Sequence, residues 1–432
     1  MNNPSTIRRI FAISILLGIC LLFTSPAAAT FSGSGTADDP YLIQSNTDMK
    51  QFAELVNAGD AEYCAAHYLL TTDLALEDEE WVPIGLSPKV ISMTFSFEGV
   101  FDGNGKTISY SIEKPAGHFA GLFGCNSGTI KNLNVKCSIS GVYDEIVLYA
   151  GGICAMNLQG TIENCVISAN IDVVSTTTYA GGVAGYDSGG LIQGCSIEGE
   201  IFAESLSEDV GVGGIVGETF GTVADCNADG TVYASGEESV YAGGVAGSNM
   251  MEAISSCTSS VDVTAYGTSD DMYAGGIVGQ NHGVVTDCTV TRSGITATCY
   301  GEGWTYSYAG GIAARNYAEI MDCESTADIS ATATSIPADD NDNWPQVLVG
   351  GIAGSNDGTI QNCISRGLVS GEAEGEVFSG DITGVNDGTV VKSSAEDAPA
   401  DDYTPSDDAA ESPAPLAGIL LGGLCAVFLR RK

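Results

Sequence analysis

Basic residues are scarce in this chain of 432 residues. It has 15 Lys and Arg against 55 Asp and Glu, a formal net charge of −40. Between Thr30 and Glu411 the balance is 10 basic to 55 acidic residues, or −45. Such a charge repels phosphate, so nucleic acid and anionic lipid surfaces are excluded as partners. It favours solubility, and a saline or cation-rich surrounding in which salt screens the self-repulsion.

Catalytic signatures are also missing. The chain contains no HExxH motif, no GxSxG motif and no phosphate-binding glycine loop followed by lysine. The three histidines are scattered, at His67, His118 and His282. Enzymes built on β-helices, the polysaccharide lyases and hydrolases, place carboxylates and a basic residue in one groove. We predict a non-enzymatic protein with no catalytic, cofactor-binding or metal-binding residue. An enzyme would require two carboxylates converging with Arg292, Arg315 or Arg366.

What the chain does contain is a repeat. The block AGGVAGYDSGGLIQGCS at Ala180 returns as AGGVAGSNMMEAISSCT at Ala242 and AGGIVGQNHGVVTDCT at Ala274. The second glycine of each copy falls at Gly121, Gly152, Gly182, Gly214, Gly244, Gly276, Gly311 and Gly351, with a degenerate copy at Gly380. The steps are 31, 30, 32, 30, 32, 35 and 40 residues. This period indicates one structural unit per repeat.

Each unit consists of three short extended runs, such as GGIVG at Gly213, GTVADC at Gly221 and GTVYAS at Gly230. Runs of this length, bounded by Gly, Asn and Asp, predict strands and turns. A unit this small cannot bury its own apolar side chains, so it must stack on its neighbours. The repeat therefore predicts an all-β fold, a three-sided, right-handed parallel β-helix (β-solenoid) of about nine coils with a small N-terminal α/β cap.

Three features of the repeat predict columns of equivalent residues. The paired glycines are expected at a corner, with positive φ and close backbone approach. The apolar residues after them, such as Ile215, Val245 and Ile277, are expected in the core. Tyrosines precede the AGG block at Tyr149, Tyr179, Tyr241, Tyr273 and Tyr308, and predict a stacked ladder at a corner.

One cysteine recurs per unit, at Cys165, Cys195, Cys226, Cys257, Cys288, Cys323 and Cys363. Stacked strands present parallel side chains, whereas tetrahedral zinc needs four converging ligands. In-register Cβ atoms about 4.8 Å apart are too distant for a disulfide, which needs about 3.8 Å. The pattern therefore predicts a buried stack of thiols that act as small hydrophobic groups.

The copies resemble GLUG repeats. GLFG at Gly121 and GIVG at Gly214 and Gly276 carry the resemblance, which extends to SNDGTIQNC at Ser355 and covers about residues 120–394. The chain departs from the pattern at Ala314, where the closing glycine is missing, and at Ser394, where the cysteine is lost. The resemblance implies a secreted or surface protein of bacteria or archaea, often adhesin-like, without catalytic residues.

We expect this function to be non-enzymatic binding of a glycan, a surface or a partner protein at the cell surface. Two alternatives stay open: a structural cell-envelope protein, and a polysaccharide lyase or hydrolase on a β-helix.

Five segments are predicted. Residues 1–29 are predicted to be a secretory signal peptide, with Arg8-Arg9, an apolar run and Ala27-Ala28-Ala29.

Residues 30–114 are the predicted N-terminal cap region. An amphipathic helix is predicted there from Asp48 to Val56, with Thr47 as a candidate N-cap. A lid of this kind would cover the open end of the first coil. Residues 115–394 are the β-helix.

The last two segments predict a stalk and an anchor. Residues 395–415 are rich in acidic residues, Pro, Ser and Ala, which is typical of an extended chain. In residues 416–432, the apolar run Leu416–Leu429 precedes Arg430-Arg431-Lys432. The run spans only about 21 Å as a helix, short for a bilayer core. It resembles the sorting tails that exosortases and archaeosortases recognise, and a plain membrane anchor is the alternative. Both predict export and attachment at the cell surface through the C-terminal segment.

Two insertions are candidate binding loops. The long steps place them at Tyr300–Tyr308 and Ser335–Gln346. In solenoids, insertions gather on one face, which is often the binding face. The aromatic candidates for stacking on sugar rings are Trp304, Tyr306 and Trp344, and the carboxylate candidates for calcium are Asp339, Asp340 and Asp342. Loops that merely cover a coil edge are the alternative.

The turn in FDGNGKTI at Phe101 leaves the same choice open, since an acidic glycine turn either binds calcium or only supplies positive φ.

Overall fold

The computed structural model describes residues 31–77, 80–86, 96–114, 117–143, 147–291, 293–301, 305–335 and 345–395. The predicted signal peptide, stalk and C-terminal segment lie outside these residues and stay predictions. Within the described residues, no helix is both long and apolar enough to cross a membrane.

A typical repeat coil has four strands, one in each of four parallel sheets. In the coil at 210–236 the strands are Val210–Gly213 in sheet 1, Val216–Thr219 in sheet 2, Thr222–Ala224 in sheet 3 and Asn227–Gly236 in sheet 4. The prediction of a parallel β-solenoid is confirmed, but the prediction of three sides is wrong. The run GGIVG, predicted to be one strand, is divided by its glycine pair, which forms a corner that separates sheet 1 from sheet 2.

Sheets 1 and 2 have nine strands each, which confirms about nine coils. The strands of sheet 1 are Phe119–Ala120, Val147–Gly151, Thr177–Gly181, Val210–Gly213, Val240–Gly243, Asp271–Gly275, Tyr306–Gly310, Gln346–Gly350 and Glu376–Gly380. The strands of sheet 2 are Phe123–Asn126, Cys154–Asn157, Ala184–Asp187, Val216–Thr219, Ala246–Asn249, Val278–Asn281, Ala313–Asn316, Ala353–Asn356 and Thr383–Asn386.

Sheets 3 and 4 are longer because they begin in the N-terminal region. The strands of sheet 3 are Tyr41–Ile43, His67–Leu70, Val100–Asp102, Thr129–Lys131, Thr161–Glu163, Leu191–Gln193, Thr222–Ala224, Ala253–Ser255, Val284–Thr286, Glu319–Met321, Thr359–Gln361 and Thr389–Val391. The strands of sheet 4 are Leu74–Ala75, Thr107–Ile112, Asn134–Val142, Val166–Ser175, Ser196–Ser205, Asn227–Gly236, Thr258–Gly267, Thr289–Val290, Gly294–Gly301, Glu324–Ser325, Asp328–Ser335, Ile364–Ser365, Val369–Ala373 and Ser394–Ala395.

The core consists of in-register columns, as predicted. Ile215, Val245 and Ile277 are fully buried. The seven repeat cysteines are free and buried, and they follow one another from coil to coil. Hydrogen bonding to the Cys195 and Cys257 thiols, together with burial, raises the pKa of Cys226 far above its usual range. The thiol stack therefore serves packing.

The paired glycines are required for close approach, and their predicted positive φ is wrong. Neither Gly181 nor Gly182 lies in the left-handed region. A Cβ on Gly182 would lie 2.4 Å from the Gly214 carbonyl oxygen of the next coil and 2.6 Å from Ile197 Cδ1. The glycine therefore lets two backbones stack where a methyl group would not fit.

A column of left-handed residues occurs instead at the corner between sheets 3 and 4, seven of them one position before a repeat cysteine and the first and last before Leu133 and Ser393. They are Asn132, Asn164, Gly194, Asp225, Ser256, Asp287, Asp322, Asn362 and Lys392. Asn and Asp tolerate this conformation better than other side chains. The Asn-Cys and Asp-Cys pairs of the repeat thus mark a corner.

A helix closes the N-terminal end of the core. Helix α1 spans Asn46–Asn57 and helix α2 spans Ala61–Cys64. The N-cap of α1 is Ser45, which accepts a hydrogen bond from the Asp48 amide at 3.2 Å, and not Thr47 as predicted. The buried Phe52 ring packs on Phe101 and Phe123, with centroid distances of 5.8 and 6.3 Å. The predicted helix and its position at the end of the core are confirmed.

A ladder of polar side chains, which the repeat pattern did not predict, runs along the last residues of the sheet 2 strands and is buried except at its last member, Asn386. Its members are Asn126, Asn157, Asp187, Thr219, Asn249, Asn281, Asn316, Asn356 and Asn386. Each amide donates to the next residue, for example Asn316 Nδ2 to Asn356 Oδ1 at 2.7 Å. The amide groups therefore satisfy one another inside the solenoid.

The ladder reverses direction at Asp187. This carboxylate accepts hydrogen bonds from both neighbours, Asn157 Nδ2 at 2.8 Å and Thr219 Oγ1 at 2.9 Å. A hydroxyl has a single proton, so Thr219 has none left for Asn249. Among the described residues, Asn249 Oδ1 is accordingly buried without a hydrogen-bond partner.

Candidate functional site

The outer faces of sheets 1 and 2 form a groove along the solenoid. Side chains that point outward from the two sheets touch each other: the rings of Tyr179 and Tyr186 lie 6.1 Å apart, and the Arg315 guanidinium lies 5.6 Å from the Tyr308 ring centroid. Outer faces whose side chains touch must meet at a re-entrant angle. We call this concave surface the sheet 1–2 groove.

The tyrosine column forms one side of the groove, with Phe119, Tyr273 and Tyr308 buried and Tyr149, Tyr179 and Tyr241 half-buried. Its residues, in register from coil to coil, are Phe119, Tyr149, Tyr179, Gly211, Tyr241, Tyr273, Tyr308, Leu348 and Phe378. The rings of Tyr241 and Tyr273 are 5.1 Å apart and those of Tyr273 and Tyr308 are 4.8 Å apart, with interplanar angles of 4° and 13°. The predicted tyrosine ladder is confirmed, with one break at Gly211.

The sheet 2 column lines the other wall, and its composition varies. Its residues are Cys125, Met156, Tyr186, Glu218, Ser248, Gln280, Arg315, Ser355 and Val385. In seven of the nine repeats a closing glycine precedes this column by one residue, and Ala155 and Ala314 stand there in the other two. A Cβ on Gly185 would lie 2.6 Å from the Ala150 amide nitrogen of sheet 1, so the closing glycine holds the two sheets close together. At Ala314 the methyl group is buried against the groove aromatics.

An arginine cluster occupies the C-terminal part of the groove. Arg315 lies over two rings, with its guanidinium carbon 5.6 Å from the Tyr308 centroid and 4.6 Å from the Tyr317 centroid. It also forms an ion pair with Asp357, Nη2 to Oδ2, at 3.3 Å. The His282 ring stacks on Tyr317 at 4.4 Å, and burial together with the Arg315 charge lowers the pKa of His282.

A second carboxylate lies near the same arginine. Asp271 accepts a hydrogen bond from the Tyr273 hydroxyl at 2.7 Å. Burial raises the pKa of Asp271, and the Tyr273 hydrogen bond and the positive charge of Arg315 oppose that rise. The structure thus brings two carboxylates, Asp271 and Asp357, near Arg315, which is one of the three arginines considered as the basic residue of an enzyme.

The N-terminal part of the groove contains a carboxylate among aromatic rings. Glu218 follows Tyr186 in the sheet 2 column, beside Tyr149 and Tyr179. Burial, with a smaller contribution from the Asp209 charge, raises the pKa of Glu218 to about 7. Within the described residues no hydrogen bond or ion pair satisfies its carboxylate.

The strands that flank both predicted insertions belong to sheet 4 on the N-terminal side and to sheet 1 on the C-terminal side. Tyr306 is described, and its ring packs 5.9 Å from Tyr308. The remaining candidates, Trp304, Trp344, Asp339, Asp340 and Asp342, lie outside the described residues, as does Arg292. Arg366 pairs with Glu324, away from the groove.

The carboxylate of Asp102 is bound by neighbouring groups of the same turn and of the next coil. Asp102 Oδ1 accepts hydrogen bonds from the Asn104 amide at 2.8 Å and from Asn132 Nδ2 at 3.1 Å, and Oδ2 lies 3.9 Å from Lys131 Nζ. Asn104 and Gly105 have positive φ. Across the described part of the chain, no group of three or more His, Cys, Asp or Glu is arranged to hold a metal ion.

Two depressions lie away from the groove. One, of about 520 Å³, lies beside helix α1 and is lined in part by Lys50, Glu54 and Trp81. The other, of about 470 Å³, lies on sheet 4 and includes Lys136 and Asn170. Neither combines stacked rings with an unsatisfied polar group, so the groove is the stronger candidate.

A known sequence motif and a known protein are similar to parts of this chain. The GLUG motif matches residues 270–296. Halomucin from Haloquadratum walsbyi is 33% identical over 149 residues, which is 33% of this chain and 2% of Halomucin. The matched segment is therefore a small part of that relative. These two similarities support a GLUG-repeat, β-helical protein of the cell-surface or extracellular class.

A crystal structure of a candidate immunoglobulin A1 protease from Bacteroides ovatus aligns with 83% of this chain and 86% of its own, at 18% identity and a TM-score of 0.38. A similarity this weak carries no inference about function.

Proposed function

We propose that this protein is an adhesin-like binding protein of the cell surface, and that the sheet 1–2 groove binds an extended glycan. The observation that carries the proposal is the groove itself: a concave strip several coils long in which half-buried rings, among them Tyr179, Tyr186, Tyr241 and Tyr317, lie beside polar groups. Aromatic side chains combine a large apolar surface with a hydroxyl, which suits the faces and edges of sugars. Single polar groups supply orientation.

Charge and location support the same proposal. The described solenoid is strongly acidic, which disfavours anionic glycans and favours uncharged ones. The similarity to Halomucin supports a surface or extracellular position, as do the predicted signal peptide and C-terminal segment. We propose attachment through residues 416–432, with the solenoid outside the cell.

Glycan-array binding with the full chain tests the proposal. Tyr186→Ala and Tyr317→Ala remove part-buried rings from the two ends of the groove. We expect each to weaken binding by about tenfold, the equivalent of about 1.4 kcal/mol. Tyr233→Ala is the matched control, because Tyr233 pairs with Phe202 at 5.9 Å on sheet 4, outside the groove. Equal loss in all three variants would contradict a groove site. Absence of binding together with calcium-dependent ordered self-assembly would favour a structural envelope protein.

Glycan cleavage is a second candidate function, favoured by one observation. Arg315 lies in the groove and forms an ion pair with Asp357. The Arg315 charge also acts on the Asp271 carboxylate. Both carboxylates are already engaged, Asp357 by Arg315 and Asp271 by Tyr273, which favours binding over catalysis. Incubation of bound glycans followed by measurement of new reducing ends and of unsaturated products separates the two functions. If the wild type releases such products and Arg315→Ala does not, the protein is an enzyme that cleaves glycans.

A further inference from the structure

The hydrogen bonds along the sheet 2 ladder run in one direction except at Thr219. From Asn126 to Asp187, and again from Asn249 to Asn386, each side chain donates to the residue of the next coil. Thr219 donates backward, from Oγ1 to Asp187 Oδ2 at 2.9 Å. Asn249 is in register with Thr219 on its other side, and within the described structure its buried Oδ1 has no partner. One hydroxyl therefore lies between a reversed hydrogen bond and an unused acceptor.

The ionised state of Asp187 explains the reversal. A carboxylate only accepts hydrogen bonds, so both of its ladder neighbours must donate to it. Asp187 Oδ1 accepts from Asn157 Nδ2 at 2.8 Å and from the Gly190 amide at 3.1 Å, whereas Oδ2 accepts from the Thr219 hydroxyl. Because two donors hold Oδ1, an added proton is accommodated at Oδ2, which would then donate to Thr219.

The Thr219 hydroxyl can respond without a change in the position of its oxygen. Oγ1 accepts from the Gly221 amide at 3.0 Å and has a second lone pair for a proton on Asp187. Its own hydrogen is then available to Asn249 Oδ1, with the Gly221 carbonyl oxygen at 3.3 Å as a weaker alternative. The threonine side chain is one bond shorter than asparagine, yet it already reaches its other ladder neighbour at 2.9 Å.

The surroundings of Asp187 favour its protonated form. Burial raises the pKa of Asp187 above its usual value of 3.8, and the hydrogen bonds that it accepts oppose the rise. Its charge acts on the Cys154 thiol of the preceding coil and on the Tyr186 hydroxyl of its own strand, and the Glu218 carboxylate of the next coil acts on Tyr186. These groups are neutral or anionic, so none of them stabilises the ionised carboxylate. The stability that the protonated form contributes is fully present below pH 3.8 and is lost as the pH rises through the raised pKa.

We propose that Asp187, Thr219 and Asn249 form a proton-dependent relay inside the solenoid. When a proton from solvent binds Asp187 Oδ2, this group donates to Thr219 Oγ1, and Thr219 donates to Asn249 Oδ1. No bond between heavy atoms changes. The hydrogen bonds between ladder side chains then all run in the same direction, and the unused acceptor is satisfied. The relay lies beside the N-terminal part of the groove, because Tyr186 and Glu218 are the residues before its first two members. Protonation thus stabilises the coils that carry this part of the groove.

A double-mutant cycle in the full chain tests the relay. Asp187→Asn mimics the protonated carboxyl at pH 7.5, with Nδ2 as the donor to Thr219, and should raise the melting temperature by roughly 2 to 4 °C. Asp187 and Asn249 are two coils apart, about 9.6 Å, where substitutions usually act independently unless they share a partner. The relay predicts that the gain falls to about half or less in an Asn249→Ala background. In an Asn316→Ala background, which changes a more distant member of the same ladder, the gain should be unchanged.

Removal of the connecting hydroxyl completes the cycle. Thr219→Val should abolish the gain that Asp187→Asn produces. The relay is refuted if Asp187→Asn lowers the melting temperature, or if its gain survives Thr219→Val. It is also refuted if the gain is the same in the Asn249→Ala and Asn316→Ala backgrounds, as it would be if an ordered water satisfied Asn249.

A second measurement decides the question if Asp187→Asn does not fold, as judged by circular dichroism. In the chain with its native carboxylate, Asn249→Ala should lower the melting temperature more at pH 5 than at pH 7.5, because the relay forms as Asp187 takes up a proton. Asn316→Ala should lower it equally at both pH values. The same pH response in the two variants would overturn the relay.

Discussion

Glu218→Gln should stabilise the protein, and more so at alkaline than at acidic pH. The folded structure raises the pKa of Glu218 from 4.5 to about 7, chiefly through burial. A raised pKa means that the folded state favours the protonated carboxyl. The associated stability is fully present below about pH 4.5 and is lost as the pH rises through 7. Glutamine has almost the same shape and no charge. The Glu218→Gln variant should therefore not lose stability as the pH rises through 7.

The magnitude follows from the size of the shift. A rise in pKa from 4.5 to about 7 corresponds to about 3 kcal/mol once the pH exceeds 7. Glu218 is only part-buried, and water in the groove reduces the figure to about 1 to 2 kcal/mol. At pH 5 the difference between Glu218→Gln and the wild type should fall below about 1 kcal/mol, because the folded carboxyl is then protonated.

Chemical denaturation at pH 5 and pH 8.5, followed by far-ultraviolet circular dichroism, measures this effect. Solenoids can unfold in stages, so the midpoints of the transition are compared rather than extrapolated free energies. Glu198→Gln is the control, because Glu198 is exposed on sheet 4. The reasoning is refuted if the two variants shift the midpoint equally at both pH values, or if Glu218→Gln is destabilised at pH 8.5.

Two further predictions concern the interior and its corners. Asn316→Ala removes a buried amide that bonds to both ladder neighbours and to the following turn, and we expect a loss of roughly 2 to 4 kcal/mol in unfolding free energy. Asn386→Ala, at the exposed end of the ladder, should cost under about 1 kcal/mol, as measured in urea. Gly182→Ala should lower the melting temperature strongly, because its methyl group would lie 2.4 Å from the Gly214 oxygen. Gly294→Ala, whose nearest atom is at 3.6 Å, should have little effect, and equal melting temperatures would contradict this view of the corner.

The sequence by itself determined the stacking of the coils. A period near 30 residues places the same residue type at the same position of each coil, so a column of tyrosines or cysteines can be predicted from spacing alone. Burial of Ile215 and the thiol stack followed for the same reason. The corner before each cysteine was also visible in principle, because Asn and Asp at a fixed offset favour the left-handed region.

Only the tertiary structure decided which corner is concave, and therefore where a site can form. The sheet 2 column has no periodic composition, so nothing in the spacing marks Tyr186, Glu218 and Arg315 as neighbours of the tyrosines. They meet because the closing glycine brings the backbones of sheets 1 and 2 together, as Gly185 does against Ala150, and this angle turns two outer faces toward each other. A repeat determines which residues stack along the axis, whereas contacts around the coil depend on the bend at each corner.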